Sequence, residues 1–352
     1  MRTKIIYFFI FSLVFIFSCK KDTKKIDETP QPEPTPTANN YVPIIPQGWP
    51  TPSYTFQNNP VTYDGFTLGR YLFYEPLLSL DTTVACGSCH EQAFAFSNGP
   101  SHTFSHGVND VIGKRNSLAL FNLTWPNQLM WDGSVNNLEN QAIAPITNPV
   151  EMNLNLGTAV SRLSYSTKYK TLFKKAFGDT LVTSQRMLRA FAQFMGLMVS
   201  NNSKYDKVKA GQDVFTTSEN NGYAVFTSNC AGCHTEPLFS DYTFRNKGLP
   251  INAYQDSGRY NITQNTADIY KFKVPTLRNL GFTAPYMHDG RFQTLSEVID
   301  FFTSGVANTQ NLDPFMATPH PITTQQKSDL ISFLNTLNDY SFTTNPRFSE
   351  IH

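Results

Sequence analysis

The sequence predicts an all-α protein of two similar domains with long loops. Three observations support this. The pattern Cys-x-x-Cys-His occurs twice, beginning at Cys86 and at Cys230. Each copy is followed in the same order by an Arg-Asn pair and an Asp-Gly pair, which is typical of a diverged duplication. Several stretches show the apolar spacing of helices, whereas sustained strand-like alternation is absent.

The N-terminal residues resemble an export signal. Two basic residues precede an apolar run from Ile5 to Phe17, and the small residue Ser18 precedes Cys19. The run is about thirteen residues long, whereas a membrane-spanning helix needs roughly 20. We therefore expect a cleaved signal peptide at residues 1–18 rather than a membrane anchor helix.

The residues after the signal indicate attachment to the cell envelope. The Ile-Phe-Ser-Cys order that ends at Cys19 resembles a bacterial lipobox, in which the cysteine carries lipid. Residues 19–52 contain charges and then regularly spaced prolines, a composition typical of an extended tether. We expect a periplasmic or cell-envelope protein that is exported and lipid-anchored through Cys19, with simple secretion as the alternative.

Charge and cysteine count limit the function classes. The formal net charge is +1, so the chain lacks the basic excess that nucleic-acid binding requires. Of five cysteines, one lies in the signal region and the other four lie in the two repeated motifs. No cysteine remains for a structural disulfide.

The Cys-x-x-Cys-His pattern is a signature of covalent c-type haem attachment. Its thiols bond the haem vinyl groups and its histidine binds the iron. Zinc is the alternative, but each site would need a fourth ligand and no cysteine is left to supply it. Export also favours c-type haem. We therefore expect two c-type haems, bound by Cys86, Cys89 and His90 and by Cys230, Cys233 and His234.

Local patterns predict three helices in particular. Gln185–Met198 is rich in Leu, Phe and Met, and Thr294 followed by Glu297 is a capping box that opens a helix over 295–302. A C-terminal helix presents one apolar face. That face consists of Leu330, Phe333, Leu334 and Leu337.

The order of the motifs predicts the division of the chain. We expect an N-terminal haem domain at residues 53–212 that reacts with substrate. A C-terminal haem domain that transfers electrons should follow at 213–340. Residues 341–352 are left as a tail.

One segment makes a family resemblance specific. The stretch from Val274 to Gly290, with its Pro-Tyr-Met-His-Asp-Gly end, resembles the C-terminal signature of bacterial di-haem cytochrome c peroxidases. Residues 85–99 and 113–118 also resemble that family, and the similarity covers most of residues 60–340. It implies two cytochrome c-like domains that reduce hydrogen peroxide to water. Electrons would come from a small periplasmic cytochrome c or a copper protein.

The resemblance makes the two haems unequal. It implies that Met287 is the distal ligand of the second haem, although the residues alone leave His288 as a candidate. A thioether ligand raises the reduction potential, so this haem would accept electrons. Related enzymes that oxidise a partner protein have tyrosine at this position, so Met287 favours the peroxidase.

At the first haem, the resemblance implies that His106 caps the iron and leaves when the second haem is reduced. His102 is a rival, and both histidines could be solvated loop residues. Met130 is a third candidate because the internal repeat aligns it with Met287. If Met130 ligates permanently, the protein is a non-enzymatic electron carrier.

Peroxide cleavage needs an acid-base group and a polar neighbour. The resemblance assigns these roles to Glu151 and Gln141, whereas composition alone leaves Glu139 as an equal candidate for the acid. It also places Trp131 between the haems, where an indole can carry electrons or fill the space between domains.

The resemblance further implies calcium between the domains, partly held by Asn116. Calcium prefers oxygen ligands from side chains and backbone carbonyls, so its other ligands are not visible in the sequence. Because family members are often dimers, a homodimer is also expected by analogy. The three function classes are a peroxidase, an oxidase that modifies a partner protein, and an electron carrier.

Overall fold

The computed structural model describes residues 41–100 and 102–351, so the predicted signal peptide and Cys19 lie outside the described residues. The described part is mainly helical. None of its helices combines the length and the apolarity that crossing a membrane requires.

Short helices alternate with loops, 3-10 turns and one small sheet. The strands β1 (Phe244–Arg245) and β2 (Phe272–Lys273) are antiparallel and pair Phe244 with Lys273. The helices are α1 (Tyr63–Phe73), α2 (Cys86–Cys89), α3 (Ile143–Thr147), α4 (Leu156–Tyr165), α5 (Thr167–Phe177), α6 (Ser184–Gly196), α7 (Lys204–Lys209), α8 (Thr217–Asn229), α9 (Tyr260–Thr263), α10 (Leu295–Asp300), α11 (Thr324–Asn335) and α12 (Tyr340–Thr343).

The first hydrophobic core is built where α1 crosses α6. Gly69 lies at the crossing, and a Cβ atom there would stand 2.0 Å from the carbonyl oxygen of Ala190. The missing side chain therefore lets the two helices approach closely. Aromatic residues fill the space around the crossing, including the fully buried Phe66, Phe73 and Phe194.

The second hydrophobic core repeats this arrangement with α8 and α11. A Cβ atom on Gly222 would stand 1.9 Å from the carbonyl oxygen of Asp329 and 2.8 Å from Cβ of Phe333. Phe226 and Phe239 complete the buried cluster. The two halves thus use the same type of helix crossing with a glycine at its centre, which supports the duplication inferred from the motifs.

The three predicted helices are present, with differences at their ends. The stretch predicted at 185–198 is α6, and Thr294 with Glu297 forms the predicted capping box of α10. Beyond Asp300 the chain continues as a π-helical turn over Phe301–Gly305. Leu337 lies beyond the end of α11 but is still fully buried.

The C-terminal segment returns to the first half of the chain. Phe342 and Phe348 are buried in the first core. Arg70 of α1 donates hydrogen bonds to the carbonyl oxygens of Pro346 and Ser349. The expected boundaries at 53–212, 213–340 and 341–352 stay predictions, but the described end of the chain is packed rather than detached.

Replacing Gly222 by alanine should destabilise the second core. The new methyl group would overlap the α11 backbone, and overpacking of this kind costs about 1–3 kcal/mol. Chemical denaturation of the parent and Gly222→Ala proteins would measure the free energy of unfolding. Gly157→Ala is the matched control because its Cβ would meet only the tip of the Asn155 side chain. Equal stability of Gly222→Ala and the control would contradict the close crossing.

Candidate haem sites and the seam between them

The first Cys-x-x-Cys segment folds as the single-turn helix α2. The hydroxyl of Ser88 accepts a hydrogen bond from the Ala85 N–H at 3.1 Å, and the His90 N–H bonds the Cys86 carbonyl at 3.0 Å. Cys86, Cys89 and His90 all line one small cavity. The four cysteines of the described residues are unpaired thiols, as haem attachment requires.

Both motif histidines are oriented in the same way. Nδ1 of His90 donates to the carbonyl of Phe96 at 2.8 Å, and Nδ1 of His234 donates to the carbonyl of Phe239 at 3.1 Å. Both phenylalanines have left-handed backbones, with φ of 59° and 55°. Because Nδ1 carries the proton, Nε2 of each ring keeps its lone pair for a metal, as in ligating histidines generally.

The cavity next to His90 contains the predicted reactive groups. This space, which we call the first cavity, measures about 680 Å³ and is lined by His90, Met130, Gln141 and Glu151. Nε2 of Gln141 donates to Sδ of Met130 at 3.2 Å. Oε1 of Gln141 is buried and has no hydrogen-bond partner among the described residues. A buried acceptor of this kind calls for a donor, and a donor group that enters the cavity would satisfy it.

Glu151 is a partly buried carboxyl group. Burial raises its pKa, and a 2.7 Å hydrogen bond from Nδ2 of Asn148 to its Oε1 opposes this to a smaller extent. Glu139, the alternative acid, lies elsewhere. It accepts from the hydroxyl of Tyr54 at 2.8 Å, stands 3.7 Å from Arg189, and does not line this cavity.

A second cavity of about 220 Å³ adjoins the other motif. It is lined by Cys230, Cys233, His234 and Met287 and is otherwise largely apolar. Met316 and His320 also line it. Sequence reasoning missed both, because they lie in a loop that no motif marks.

Met130 and Met287 occupy equivalent turns. Their φ angles are 67° and 75°, and the residue before each donates a backbone hydrogen bond of 2.7 Å. These bonds join Leu129 to Val135 and Tyr286 to Phe292. The repeat therefore extends to backbone conformation, and each methionine lines the cavity of its own half.

The residues present fit c-type haem at both places. Each half offers two free thiols and a histidine with an available Nε2 beside a cavity. In the first half, the cavity is lined by Gln141 with its unpaired Oε1 and by the thioether of Met130. In the second half, the thioether of Met287 lines the cavity.

His106 lines the small cavity beside Cys86, Cys89 and His90, but its ring nitrogen is engaged outside the motif. Its side chain is 36% exposed, and Nδ1 lies 2.6 Å from a carboxylate oxygen of Asp110. The His102 ring packs against it, with the ring centroids 4.6 Å apart. The carbonyl of His106 lies 3.7 Å from Sγ of Cys89. Its capping role stays a prediction.

A chain of four hydrogen-bonded residues crosses between the halves. The carbonyl of His288 accepts from the Asn116 N–H at 2.7 Å, and the carbonyl of Asn116 accepts from Nε1 of Trp131 at 2.8 Å. The carbonyl of Trp131 then accepts from the Lys273 N–H at 2.7 Å. We call these four residues the seam. Trp131 lines both cavities, as the prediction of an indole between the haems requires.

Buried charge reinforces the seam. Arg115 binds Asp132 at 2.6 Å and Asp256 at 2.6 Å, which joins the two halves. Asn116, the expected calcium ligand, also donates Nδ2 to the carbonyl of Thr103 at 3.2 Å. No cluster of three or more acidic, histidine or cysteine side chains that could hold a metal ion occurs in residues 41–100 and 102–351. Calcium therefore stays a prediction.

Known proteins resemble this chain over most of its length. The sequence profile of the family described as di-haem cytochrome c peroxidase matches residues 63–214. The methylamine utilization protein MauG of Methylophilus methylotrophus is 36% identical over 80% of this chain and 84% of its own. The cytochrome c551 peroxidase of Nitrosomonas europaea is 33% identical over 68% of this chain and 73% of its own.

A solved structure has a similar fold. The crystal structure of a MauG-like protein associated with microbial copper homeostasis superposes with a TM-score of 0.80 at 30% identity. The alignment covers 87% of this chain and 98% of the other.

Removing one pair of thiols should remove one covalent haem. We expect a Cys86→Ala/Cys89→Ala protein and a Cys230→Ala/Cys233→Ala protein each to lose one haem mass while keeping the other. Intact-mass spectrometry and haem staining after denaturation would measure this. Retention of both covalent haems by either variant would contradict the assignment.

Proposed function

Because this chain belongs to the di-haem cytochrome c peroxidase family, we propose that it reduces hydrogen peroxide to water with electrons from a small cytochrome c or copper protein. One observation carries the proposal. Gln141 and Glu151 line the same cavity as His90, and Gln141 presents a buried acceptor without a donor. Peroxide has O–H groups that would supply that donor.

The residues that would hold the two c-type haems are the two Cys-x-x-Cys-His motifs, with Met287 as a further ligand in the second half. When bound, the haems would supply an iron atom that binds peroxide and a store of electrons for its reduction. The four thiols would fix the haems covalently, and the carbonyls of Phe96 and Phe239 would orient the two histidines.

The protein's own groups would then manage the protons. Glu151 would take a proton from one oxygen atom of peroxide and return it to the other as the O–O bond breaks, so that this oxygen leaves as water. Two electrons held by the haems and two protons from solvent would convert the remaining oxygen to the second water. Burial raises the pKa of Glu151, so this carboxyl group holds a proton more readily than an exposed one and can return it to the departing oxygen. Gln141 orients the peroxide through its unpaired Oε1, while its amide stays on Sδ of Met130.

Trp131 and Met287 would serve electron transfer. Both side chains line both cavities, so the indole lies where an electron must cross from one half to the other. The backbone bonds of the seam fix its ring. Met287 would favour the reduced state of the second haem, which makes that half the entry point for electrons.

A second candidate function is the oxidation of a side chain in a partner protein. The 36% identity to a methylamine utilization protein MauG favours it. Met287 favours the peroxidase, since the partner-oxidising relatives are expected to carry tyrosine there. Export, lipid attachment at Cys19, a calcium ion at Asn116 and a homodimer are further parts of this proposal.

Glu151→Gln should lower peroxidase turnover by a factor of about 10²–10⁴, the usual contribution of a general acid-base group. Peroxide-dependent oxidation of a reduced small cytochrome c would measure the rate. Glu139→Gln is the matched control because that carboxylate lies outside the cavity. Unchanged turnover in Glu151→Gln would remove it from the mechanism, and a parent protein inert to peroxide would overturn the proposed function.

His106 and Met130 can be distinguished as caps of the first haem. If His106 is the cap, the fully oxidised His106→Gly protein should bind cyanide without prior reduction of the second haem, whereas Met130→Leu should behave as the parent. Visible absorption and electron paramagnetic resonance would report the spin state. If only the oxidised Met130→Leu protein bound cyanide, the cap would be Met130, and the electron-carrier function would be favoured.

A further inference from the structure

Lys273 is a buried cation at the boundary of the two cavities. Only 7% of the residue is exposed, and it lines both the first and the second cavity. Two backbone interactions fix its position. It pairs with Phe244 in the small sheet, and its N–H bonds the Trp131 carbonyl. The ammonium group is therefore delivered to this boundary by the fold rather than left there by a flexible loop.

No anion accompanies this ammonium group. Within residues 41–100 and 102–351, no carboxylate lies within ion-pair distance of Nζ of Lys273, and its cation–π contact is with the ring of Tyr242, whose centroid lies 5.7 Å away. Burial by itself lowers its pKa to about 8. The nearby guanidinium groups differ, since Arg115 binds two aspartates and Arg278 binds Asp206.

A buried cation without a counter-charge is costly, and proteins pair such groups or coordinate them. The missing partner must therefore be an anion that enters the cavities. It must also be held where the two cavities meet. A c-type haem carries two carboxylate groups, its propionates, in addition to the vinyl groups that the cysteines bond. The residues that line the boundary of the two cavities indicate no other anionic ligand.

We propose that the ammonium group of Lys273 binds a haem propionate at the boundary of the two cavities. The ion pair neutralises one carboxylate beside Trp131 and stabilises the reduced form of the haem that carries it. Lys273 is thus a positioning residue that acts on the haem rather than on peroxide. The proposal depends on haem attachment and not on peroxide reduction.

The test uses holoprotein with both haems attached. In Lys273→Met, the midpoint potential of at least one haem should move to a more negative value, because an unpaired propionate favours ferric iron. The propionate bending band in the resonance Raman spectrum should shift as well. Lys273→Arg keeps the charge and should restore both signals.

Lys271→Met is the matched control, since Lys271 lies two residues away, pairs with Asp268 and lines neither haem cavity. It should give the parent potentials and spectrum. If Lys273→Met does not accumulate, Lys273→Gln removes the charge and keeps polarity. Parent-like potentials and Raman bands in the neutral variant would overturn the proposal. Both measurements are made without peroxide, so their result is independent of the proposed activity.

Discussion

The relation between the two cavities depends on one hydrogen-bonded chain. It runs from His288 through Asn116 and Trp131 to Lys273. His288 and Lys273 belong to the second half of the chain, whereas Asn116 and Trp131 belong to the first. Two of its three links join backbone groups and the third uses the indole N–H of Trp131, so side-chain motion cannot easily break them. The Arg115 ion pairs lie beside it. Trp131 is held through both its indole N–H and its carbonyl, so its position between the two cavities is fixed by backbone groups.

Features that depend on nearby residues could be predicted from the sequence. The two thiol-histidine motifs, the capping box at Thr294 and α6 are local, and the structure contains them as expected. The repeat also predicted that Met130 and Met287 are equivalent, and their turns share the same φ and hydrogen bond. Gln141 and Glu151 needed the family resemblance, because composition gives them no advantage over other polar residues.

Features that depend on distant pairs could not be predicted. The bond between Arg115 and Asp256 joins residues 141 positions apart, and Gly69 and Gly222 matter only against the helices that cross them. Lys273 looks ordinary in sequence, since its burial and lack of a carboxylate partner appear only after folding. The ring of His106 pairs with Asp110 at the surface, an orientation that no sequence pattern encodes.

The return of the C-terminal segment affects how the chain can fold. Phe342 and Phe348 belong to the first core, and Arg70 and Tyr74 of the first half bind carbonyls between Pro346 and Ser349. These contacts join residues more than 270 positions apart, a separation that slows folding because a long loop must close first. The first half therefore cannot complete its core as a nascent domain. Its packing is finished only after Phe342 and Phe348 have been synthesised.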